Sequence, residues 1–202
     1  MKLVTYDGGK VGRVDGDEIV HLYVRSMREY FEAGGAKESG RRTKLADAKL
    51  RPPIVPKKFF HTAGNFREHE EESKQVDWSH RIAPWIVTPD EIPDPHDLAM
   101  ALRVNGETRQ ESHSSRMSVT VPEILSNFSA LGYSAGDVLS TGTVSGVAGF
   151  KSEEERRRLY LKPGDVIEAE IERIGVLRNP VVSWQDAHGE PAPPRIRPWG
   201  DG

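Results

Sequence analysis

The first fifty residues alternate apolar and polar side chains over short runs that glycine-containing turns interrupt. Three such runs within residues 2–22 predict a small β-meander, because period-two alternation is typical of half-buried strands. Ser26 is placed to cap a short helix over residues 27–32, which a Gly-Gly pair ends. Residues 36–50 are polar and lack a clear period. They are interpreted as a linker that leads to a proline-rich boundary.

Strand signals return in the second half of the chain. Asn105-Gly106 lies between two strand-like runs, which is the strongest short signal for a β-hairpin. Gly136-Asp137 and Gly164-Asp165 each introduce a further strand-like run. Residues 167–172 alternate apolar and acidic side chains, so one face of that strand is expected to meet solvent. These runs predict an α+β fold that is rich in strands.

One helix has a complete pattern, over residues 120–131. Thr120 and Glu123 have the spacing of a capping box, and Pro122 suits the first turn. Four apolar side chains at helical spacing form one stripe, which predicts a face that packs into the core. They are Ile124, Leu125, Phe128 and Leu131.

Composition limits the partners of the chain. It has 202 residues and a formal net charge of −3, so it lacks the broad basic surface that nucleic-acid binding requires. The absence of cysteine excludes disulfides, thiolate metal sites and cysteine nucleophiles. No apolar run approaches the roughly 20 residues that span a bilayer, and the N-terminus does not resemble a signal peptide. We therefore expect a cytoplasmic protein that binds neither nucleic acid nor membrane.

A glycine-rich segment over residues 140–149, the glycine loop, is the first candidate for chemistry. It carries three glycines and four hydroxyl side chains directly after a predicted strand. Glycines let a backbone approach a ligand closely, and successive N–H groups form an anion-binding nest. The loop matches neither a P-loop nor the nucleophile elbow of serine hydrolases. It is predicted to be one wall of a small-molecule site, with a plain glycine-rich turn as the alternative.

A charged segment over residues 65–72 is the second candidate. If the segment is helical, His69 and Glu72 are three residues apart and share a face. A carboxylate beside an imidazole fixes its tautomer and raises its pKa, so the pair is suited to activate water as a general base. The alternative is a solvated acidic helix face with an incidental histidine.

A third cluster of acidic groups and one histidine follows at residues 90–97. Its oxygens and imidazole suggest a metal site. However, three prolines spread these side chains along an extended turn, so a polar surface turn is the better interpretation. The cluster consists of Asp90, Glu91, Asp94, His96 and Asp97.

Several of these segments resemble, in order, those of the fumarylacetoacetate hydrolase family. The motifs are Asn-Phe-x-x-His-x-x-Glu from Asn65, Val-Asn-Gly-Glu-x-x-Gln from Val104, and Gly-Asp-Val followed by Thr-Gly-Thr-x-x-Gly from Gly136. The resemblance implies a mixed β-roll catalytic domain, here residues 56–184, after a small N-terminal β-domain and linker over residues 1–55. Residues 185–202 are proline-rich and are predicted to form a poorly ordered tail.

The resemblance also implies a chemistry and a state of assembly. Family members are usually homodimers that use Mg²⁺ or Mn²⁺ to hydrolyse, decarboxylate or isomerise a 2-oxo or 1,3-dicarbonyl acid, such as an acylpyruvate or an intermediate of aromatic-compound catabolism. It implies that His69 and Glu72 activate water. Thr143, with Gly142, is expected to contact the substrate, and Asn65 is expected to position the lid or contact the substrate.

One departure from the family concerns the metal. The family carries a Glu-x-Glu pair between its His-x-x-Glu segment and the strand that begins here at Trp85, and the corresponding interval here has none. Glu168-Ala169-Glu170 and Glu170-Ile171-Glu172 have this spacing but lie in a later strand, so no metal ligand is assigned. The catalytic domain is therefore expected to be incomplete. The alternative to an enzyme is a non-catalytic, truncated relative that has lost metal binding and acts as a binding module or subunit partner.

Overall fold

The computed structural model describes residues 1–62, 65–66 and 85–191. These residues form a strand-rich α+β structure, as the sequence predicts. The strands are β1 (Lys2–Tyr6), β2 (Lys10–Asp15), β3 (Glu18–Leu22), β4 (Glu38–Lys44), β5 (Leu50–Arg51), β6 (Phe59–His61), β7 (Trp85–Val87), β8 (Ala99–Val104), β9 (Glu107–His113), β10 (Val138–Ser140), β11 (Val166–Ile171) and β12 (Gly175–Pro180). The helices are α1 (Met27–Glu32), α2 (Val121–Phe128), α3 (Glu153–Leu159) and α4 (Trp184–His188).

The predicted meander is confirmed as the centre of a six-stranded sheet, in which five strands have the order β4-β3-β2-β1-β5 and the sixth, β7, also pairs with β1. Successive side chains of β1 point to opposite faces of the sheet, so Leu3 and Val4 enter two different apolar clusters. Met27, the first residue of α1, packs in the cluster of Leu3. The helix begins after its predicted cap, Ser26, whose hydroxyl accepts the N–H of Glu29 at 3.2 Å.

The predicted linker over residues 36–50 is wrong, because most of it is the edge strand β4 and the two-residue strand β5. β4 pairs antiparallel with β3, and most of its side chains are exposed. Its side chains are held by ion pairs across the sheet: Arg42 lies 2.8 Å from Glu18, and Glu38 lies 2.7 Å from Arg13. An edge strand stabilised by backbone pairing and charge has no apolar alternation, which explains why the pattern missed it.

The N-terminal sheet also recruits a strand from beyond the predicted domain boundary. β7 runs antiparallel to β1, next to β5 along the same edge, with Trp85 opposite Val4. The indole N–H of Trp85 donates to the carbonyl oxygen of Ile174 at 2.7 Å, and its ring lies against Gly175 at the start of β12. β7 therefore joins the N-terminal sheet to the C-terminal part of the chain. The boundary near residue 55 stays a prediction about domains.

The second large sheet has four antiparallel strands in the order β12-β11-β8-β9. The predicted hairpin joins β8 to β9 through Asn105 and Gly106, which both have positive φ, at 52° and 82°. This is the backbone conformation that an Asn-Gly hairpin turn requires. β11 is a central strand in which acidic and apolar positions alternate, but all six of its residues are partly buried, so the predicted contrast between a buried and a solvent-exposed face is not seen.

The register of the four-stranded sheet separates a charged face from an apolar one. Ala101 of β8 lies opposite Glu170 and Glu111, while its neighbour Leu102 lies opposite Ala169 and Gln110. Since side chains alternate between faces, the acidic side chains and Gln110 point to opposite sides of the sheet. The glycine loop contacts the Gln110 side, as described below.

The predicted capping-box helix is confirmed as α2. Both the backbone N–H and the hydroxyl of Thr120 donate to the carboxylate of Glu123, at 2.8 and 2.7 Å. The prediction that the apolar stripe packs into the core is confirmed for only two of its four side chains. Ile124 is buried and Phe128 packs against Phe60, but Leu125 and Leu131 are 41% and 64% exposed. Leu125 and Leu131 are exposed because none of the described residues covers them.

The end of the described chain differs from the predicted tail. Ser183 caps α4, a five-residue helix that extends across the predicted boundary at residue 185. Residues 192–202, which hold most of that tail, lie outside the described residues. Among the described residues, no helix has both the length and the apolar character needed to cross a membrane.

Candidate active site

The parallel strands β6 and β10 bring two sequence-predicted segments to one edge. Phe60 lies opposite Leu139 and His61 opposite Ser140, so the residues that follow both strands emerge side by side. Thr62, directly after β6, binds the carbonyl oxygen of Ser140 twice, through its N–H at 3.2 Å and its hydroxyl at 3.0 Å. The glycine loop therefore begins in contact with the segment that leads to His69.

An aspartate fixes the start of β10 against β6. The carboxylate of Asp137 accepts the N–H groups of Ser134 at 2.8 Å and Lys58 at 3.1 Å, and the ammonium of Lys58 lies 3.5 Å away. Burial of the carboxylate opposes its ionisation, but these donors outweigh burial and hold the pKa of Asp137 below its usual value. Asp165 closes the equivalent turn before β11 by accepting the N–H of Lys162 at 2.8 Å. The two similar Gly-Asp segments thus use the same contact to start a strand.

Two glycines let the loop approach its neighbours more closely than other residues allow. Gly142 has a φ of +97°, and a Cβ there would lie 3.3 Å from the carbonyl oxygen of Thr62. Gly146 has a φ of +96°, and a Cβ there would lie 2.5 Å from the carbonyl oxygen of Arg109 on β9. Both positions combine a left-handed backbone with close contact, so glycine is required for two separate reasons.

Asn65 joins the loop to the segment that precedes α2. Its side chain is buried, and its amide N–H groups donate to the carbonyl oxygens of Val119 at 3.0 Å and Thr141 at 3.1 Å. The side-chain oxygen Oδ1 of Asn65 accepts the N–H of Val119 at 2.8 Å. The backbone of Asn65 is not helical, because its backbone carbonyl oxygen accepts the N–H of Ser118 and the next residue, Phe66, pairs with Met117. The predicted helix therefore does not begin at Asn65.

Gln110 holds the other half of the loop. Its side-chain amide donates to the carbonyl oxygens of Val144 at 2.8 Å and Ser145 at 3.0 Å. The sequence motif contains this glutamine, but no role was predicted for Gln110 or for Thr62. The signal available for Gln110 was its alternation on β9, which places it on the face opposite Glu111.

The remaining backbone groups of the loop are suited to bind an anion. Among the described residues, no group accepts a hydrogen bond from the N–H groups of Thr143, Val144 or Ser145. The hydroxyl of Thr143 has one long contact, at 3.5 Å, to the carbonyl oxygen of Val144. The loop residues from Thr141 to Ala148 are all partly buried. Thr62, Asn65 and Gln110 thus bind carbonyl oxygens of the loop, while the N–H groups of three successive loop residues have no acceptor among the described residues.

The predicted site residues fall on both sides of the limit of the described chain. The structure brings Asn65, Gly142 and Thr143 together in one region, since Asn65 contacts Thr141 and lies beside Gly142. His69 and Glu72 lie outside the described residues. Their predicted role as a base and its partner therefore stays a prediction.

The acidic turn over residues 90–97 uses its side chains in separate contacts. Asp90 binds the N-terminal ammonium of Met1 at 2.7 Å, and Asp97 lies 3.5 Å from His113. Asp94 and His96 contact one another at 3.2 Å, and the Nε2 atom of His96 accepts the N–H of Val121 at the start of α2. These contacts agree with the interpretation as a surface turn.

The described residues do not fit the family's divalent metal. They contain no group of three or more histidine, aspartate or glutamate side chains that converge on a point. Glu170 of β11 lies 2.7 Å from Arg103, and Glu168 lies 3.3 Å from Arg178, so ion pairs engage both carboxylates. They also point away from the face that Gln110 occupies.

Comparison with known sequences identifies the family. Residues 56–182 match the family described as fumarylacetoacetate (FAA) hydrolase, C-terminal. The match covers more than half of the chain, and the chain belongs to this family.

Curated relatives align over about half of the chain. A 2,4-didehydro-3-deoxy-L-rhamnonate hydrolase of Sphingomonas sp. (strain SKA58) is 40% identical over 105 residues, which are 52% of this chain and 36% of that protein. A mitochondrial oxaloacetate tautomerase of Bos taurus is 38% identical over 104 residues, 50% of this chain and 31% of that protein. The alignments thus span about a third of the length of these relatives, whose names describe a hydrolase and a tautomerase.

Solved structures confirm the fold. The maleylpyruvate hydrolase of Sphingobium sp. SYK-6 has a TM-score of 0.70 and 20% identity, and the match covers 90% of this chain and 99% of that one. The same enzyme in complex with manganese(II) and pyruvate has a TM-score of 0.67, with the same identity and coverage. A 2-hydroxyhepta-2,4-diene-1,7-dioate isomerase of Mycobacterium marinum has a TM-score of 0.68 and 19% identity, with coverage of 90% and 98%.

Proposed function

We propose that the chain binds a small 2-oxo or 1,3-dicarbonyl acid at the glycine loop and acts on it as a hydrolase or isomerase of its family. One observation carries the proposal: the loop carbonyls are held by side chains, whereas the N–H groups of Thr143, Val144 and Ser145 have no acceptor among the described residues. Three successive N–H groups suit the carboxylate of such an acid. The hydroxyl of Thr143 adds a donor for the neighbouring oxo group.

The catalytic step in this proposal belongs to His69 and Glu72. The contact of Asn65 with Thr141 supports this assignment, because Asn65 is only four residues before His69 in the sequence. His69 is proposed to take a proton from water or from the carbon beside the oxo group, and Glu72 to orient the imidazole. Hydrolysis and isomerisation of an oxo acid both use such a base, whereas decarboxylation gives an enolate by loss of CO₂ and uses a proton donor afterwards. The geometry therefore supports the substrate class rather than one of these reactions.

The substrate class also agrees with the ligand of one structural neighbour. That maleylpyruvate hydrolase was solved with manganese(II) and pyruvate, a small 2-oxo acid. The Mg²⁺ or Mn²⁺ expected from the family would polarise the oxo group and stabilise negative charge on it. The described residues do not supply its ligands, so the steps proposed for this chain are those of its own side chains.

A second function is favoured by the carboxylates of the described residues, which form no group of three or more that could hold a metal. A chain with the loop but without a metal site would bind an oxo acid without converting it, or would serve as a partner for a complete subunit. The homodimer and the cytoplasmic location stay predictions under both candidates.

Turnover of an acylpyruvate with and without Mn²⁺ distinguishes the two functions. Loss of the enol absorbance is followed for the wild type, for His69→Ala and for the control His188→Ala, which changes an exposed histidine on α4. The enzyme proposal predicts turnover that His69→Ala reduces at least about 100-fold, the usual contribution of a general base, and that His188→Ala leaves unchanged. Binding without turnover in the wild type would support the non-catalytic candidate instead.

A further inference from the structure

We infer that Gln110 is a positioning residue that sets the shape of the ligand-binding half of the glycine loop. Its side-chain amide supplies two hydrogen bonds to consecutive carbonyl oxygens, those of Val144 and Ser145, at 2.8 and 3.0 Å. Gln110 is on β9, a strand of a different sheet from the one that introduces the loop. The inference rests on the proposed function, because the half of the loop it holds is the proposed carboxylate site.

The loop needs such a residue because it has almost no regular structure of its own. Residues between Ser140 and Ala148 belong to no strand or helix, so their carbonyl groups have no ladder partners. Thr62 and Asn65 satisfy the carbonyls of Ser140 and Thr141 in the first half. Gln110 does the same in the second half. Without Gln110, these two partly buried carbonyl groups would have to rotate to reach water as a hydrogen-bond donor. The N–H of Ser145, which lies between them, would change its direction as well.

The two bonds of Gln110 determine where the N–H groups point. A peptide unit is planar, so a carbonyl held on one side fixes the N–H of the next residue on the other side. The carbonyl of Val144 shares a peptide plane with the N–H of Ser145, which has no acceptor among the described residues. Gln110 therefore orients a proposed ligand-binding N–H without touching the ligand itself.

The contact on the backbone of β9 makes this arrangement specific. Gly146, directly after the two held carbonyls, lies so close to the carbonyl oxygen of Arg109 that a Cβ would be 2.5 Å from it. The backbone of β9 and the side chain of Gln110 thus contact three consecutive loop residues. β9 also carries an irregularity in its register with β8 at Leu102 and Arg103, near this point. The contacts that hold the second half of the loop therefore come from β9.

Two substitutions separate the hydrogen bonds from the volume of the side chain. Gln110→Leu removes both donors at similar size. Gln110→Glu keeps the size but, when ionised, places carboxylate oxygens against two carbonyl oxygens, which is repulsive. Protonation restores one donor to the glutamate, so its defect should become smaller as the pH falls. Gln185→Leu and Gln185→Glu, on the exposed helix α4, are the matched controls.

The first measurement needs no ligand. Backbone ¹⁵N relaxation of the free protein should show Val144 and Ser145 ordered in the wild type. Their order parameters should fall from about 0.85 towards about 0.6 in Gln110→Leu. The controls should leave these values unchanged. Unchanged order parameters in Gln110→Leu and Gln110→Glu would overturn the inference whether or not the proposed function is correct.

The second measurement is the dissociation constant of pyruvate, determined by calorimetry at pH 8 and pH 5. Gln110→Leu should weaken binding about tenfold, which corresponds to the loss of about one net hydrogen bond. Gln110→Glu should weaken pyruvate binding more than Gln110→Leu at pH 8. The ratio of its dissociation constant to that of the wild type should be smaller at pH 5 than at pH 8. A ratio independent of pH, or a loss no greater in Gln110→Glu than in Gln110→Leu, would reduce Gln110 to a packing role.

The outcomes keep the two proposals apart. If the wild type does not bind pyruvate but the relaxation changes occur, the proposed function fails and the role of Gln110 in shaping the loop stands. If the wild type binds pyruvate and no variant at Gln110 alters the loop or the affinity, the inference fails and the proposed function stands. Should Gln110→Leu not fold, Gln110→Asn, which keeps the amide on a shorter side chain, is measured in the same two ways.

Discussion

Hydrogen bonds from side chains to backbone carbonyls are the main forces at the candidate site on the scale of single residues. The side chain of Asn65 donates two such bonds, to the carbonyl oxygens of Val119 and Thr141, and also accepts the backbone N–H of Val119. A buried amide that satisfies backbone groups on two segments contributes most through the groups it would leave unpaired. The stability of the site should therefore depend on Asn65 as strongly as on any apolar contact.

Replacement of Asn65 by leucine is expected to lower the free energy of unfolding by about 3 kcal/mol, because the N–H of Val119 and the carbonyls of Val119 and Thr141 lose their partner. Urea denaturation measures the change. Asn127→Leu, on the exposed side of α2, is the control and should alter stability by less than about 0.5 kcal/mol. Equal effects at both positions would contradict the role assigned to Asn65.

Gly146→Ala and Gly164→Ala separate backbone strain from steric contact. Both glycines have φ near +97°, but a Cβ at Gly164 would meet no atom within 4 Å, while one at Gly146 would lie 2.5 Å from a carbonyl oxygen. Gly164→Ala should cost about 1 kcal/mol for its left-handed backbone. Gly146→Ala should cost at least about 2 kcal/mol more, since β9 must also move away. Similar losses of thermal stability in the two variants would show that the loop does not contact β9 this closely.

At the scale of elements, the sequence predicts those whose signal is local. The meander, the Asn-Gly hairpin and the capped helix α2 are confirmed, because turn chemistry and periodicity determine them within a few residues. β4 was missed because it is an edge strand whose mostly exposed side chains show no apolar alternation, and the strand it pairs with, β3, lies outside its local sequence. The prediction that Leu125 and Leu131 pack into the core was wrong for a related reason. The apolar face of a helix does not show how far the surface that packs against it extends.

Carboxylates that start strands and helices give the elements a common response to acid. Asp165 accepts the N–H of Lys162 and a bond from Asn105, and these contacts hold its pKa below the usual value. The Thr120 donors lower the pKa of Glu123 in the same way. A group whose folded pKa is lowered stabilises the protein above its unfolded pKa, and this contribution is lost as the pH falls through the folded value.

The free energy of unfolding should therefore decline as the pH falls below about 4, where these carboxylates become protonated. Asp165→Asn should reduce the steepness of the decline, because one of the linked protons is removed. Chemical denaturation at a series of pH values between 7 and 3 measures it, with Asp47→Asn in the exposed turn after β4 as the control. A steeper decline in Asp165→Asn than in the wild type would reverse the predicted sign.

At the scale of the whole molecule, some residues of the candidate site could be identified from sequence motifs, and others only from the way the fold brings them together. The order of motifs was sufficient to identify the family and the glycine loop. The motifs did not reveal the roles of Gln110 and Thr62, because these depend on two sheets meeting at one loop. Metal ligands also require side chains from separate strands to converge, and the described residues contain no such group.

The central claim is that the N–H groups of the glycine loop bind the carboxylate of a small oxo acid. Titration of ¹⁵N-labelled protein with sodium pyruvate tests it directly, since each amide reports on its own surroundings. The chemical-shift changes are expected to concentrate at Thr143, Val144 and Ser145, with smaller changes at the Gly164-Asp165 turn and on the acidic face around Glu170. Saturable shifts centred elsewhere, or none at the loop with millimolar pyruvate, would contradict it.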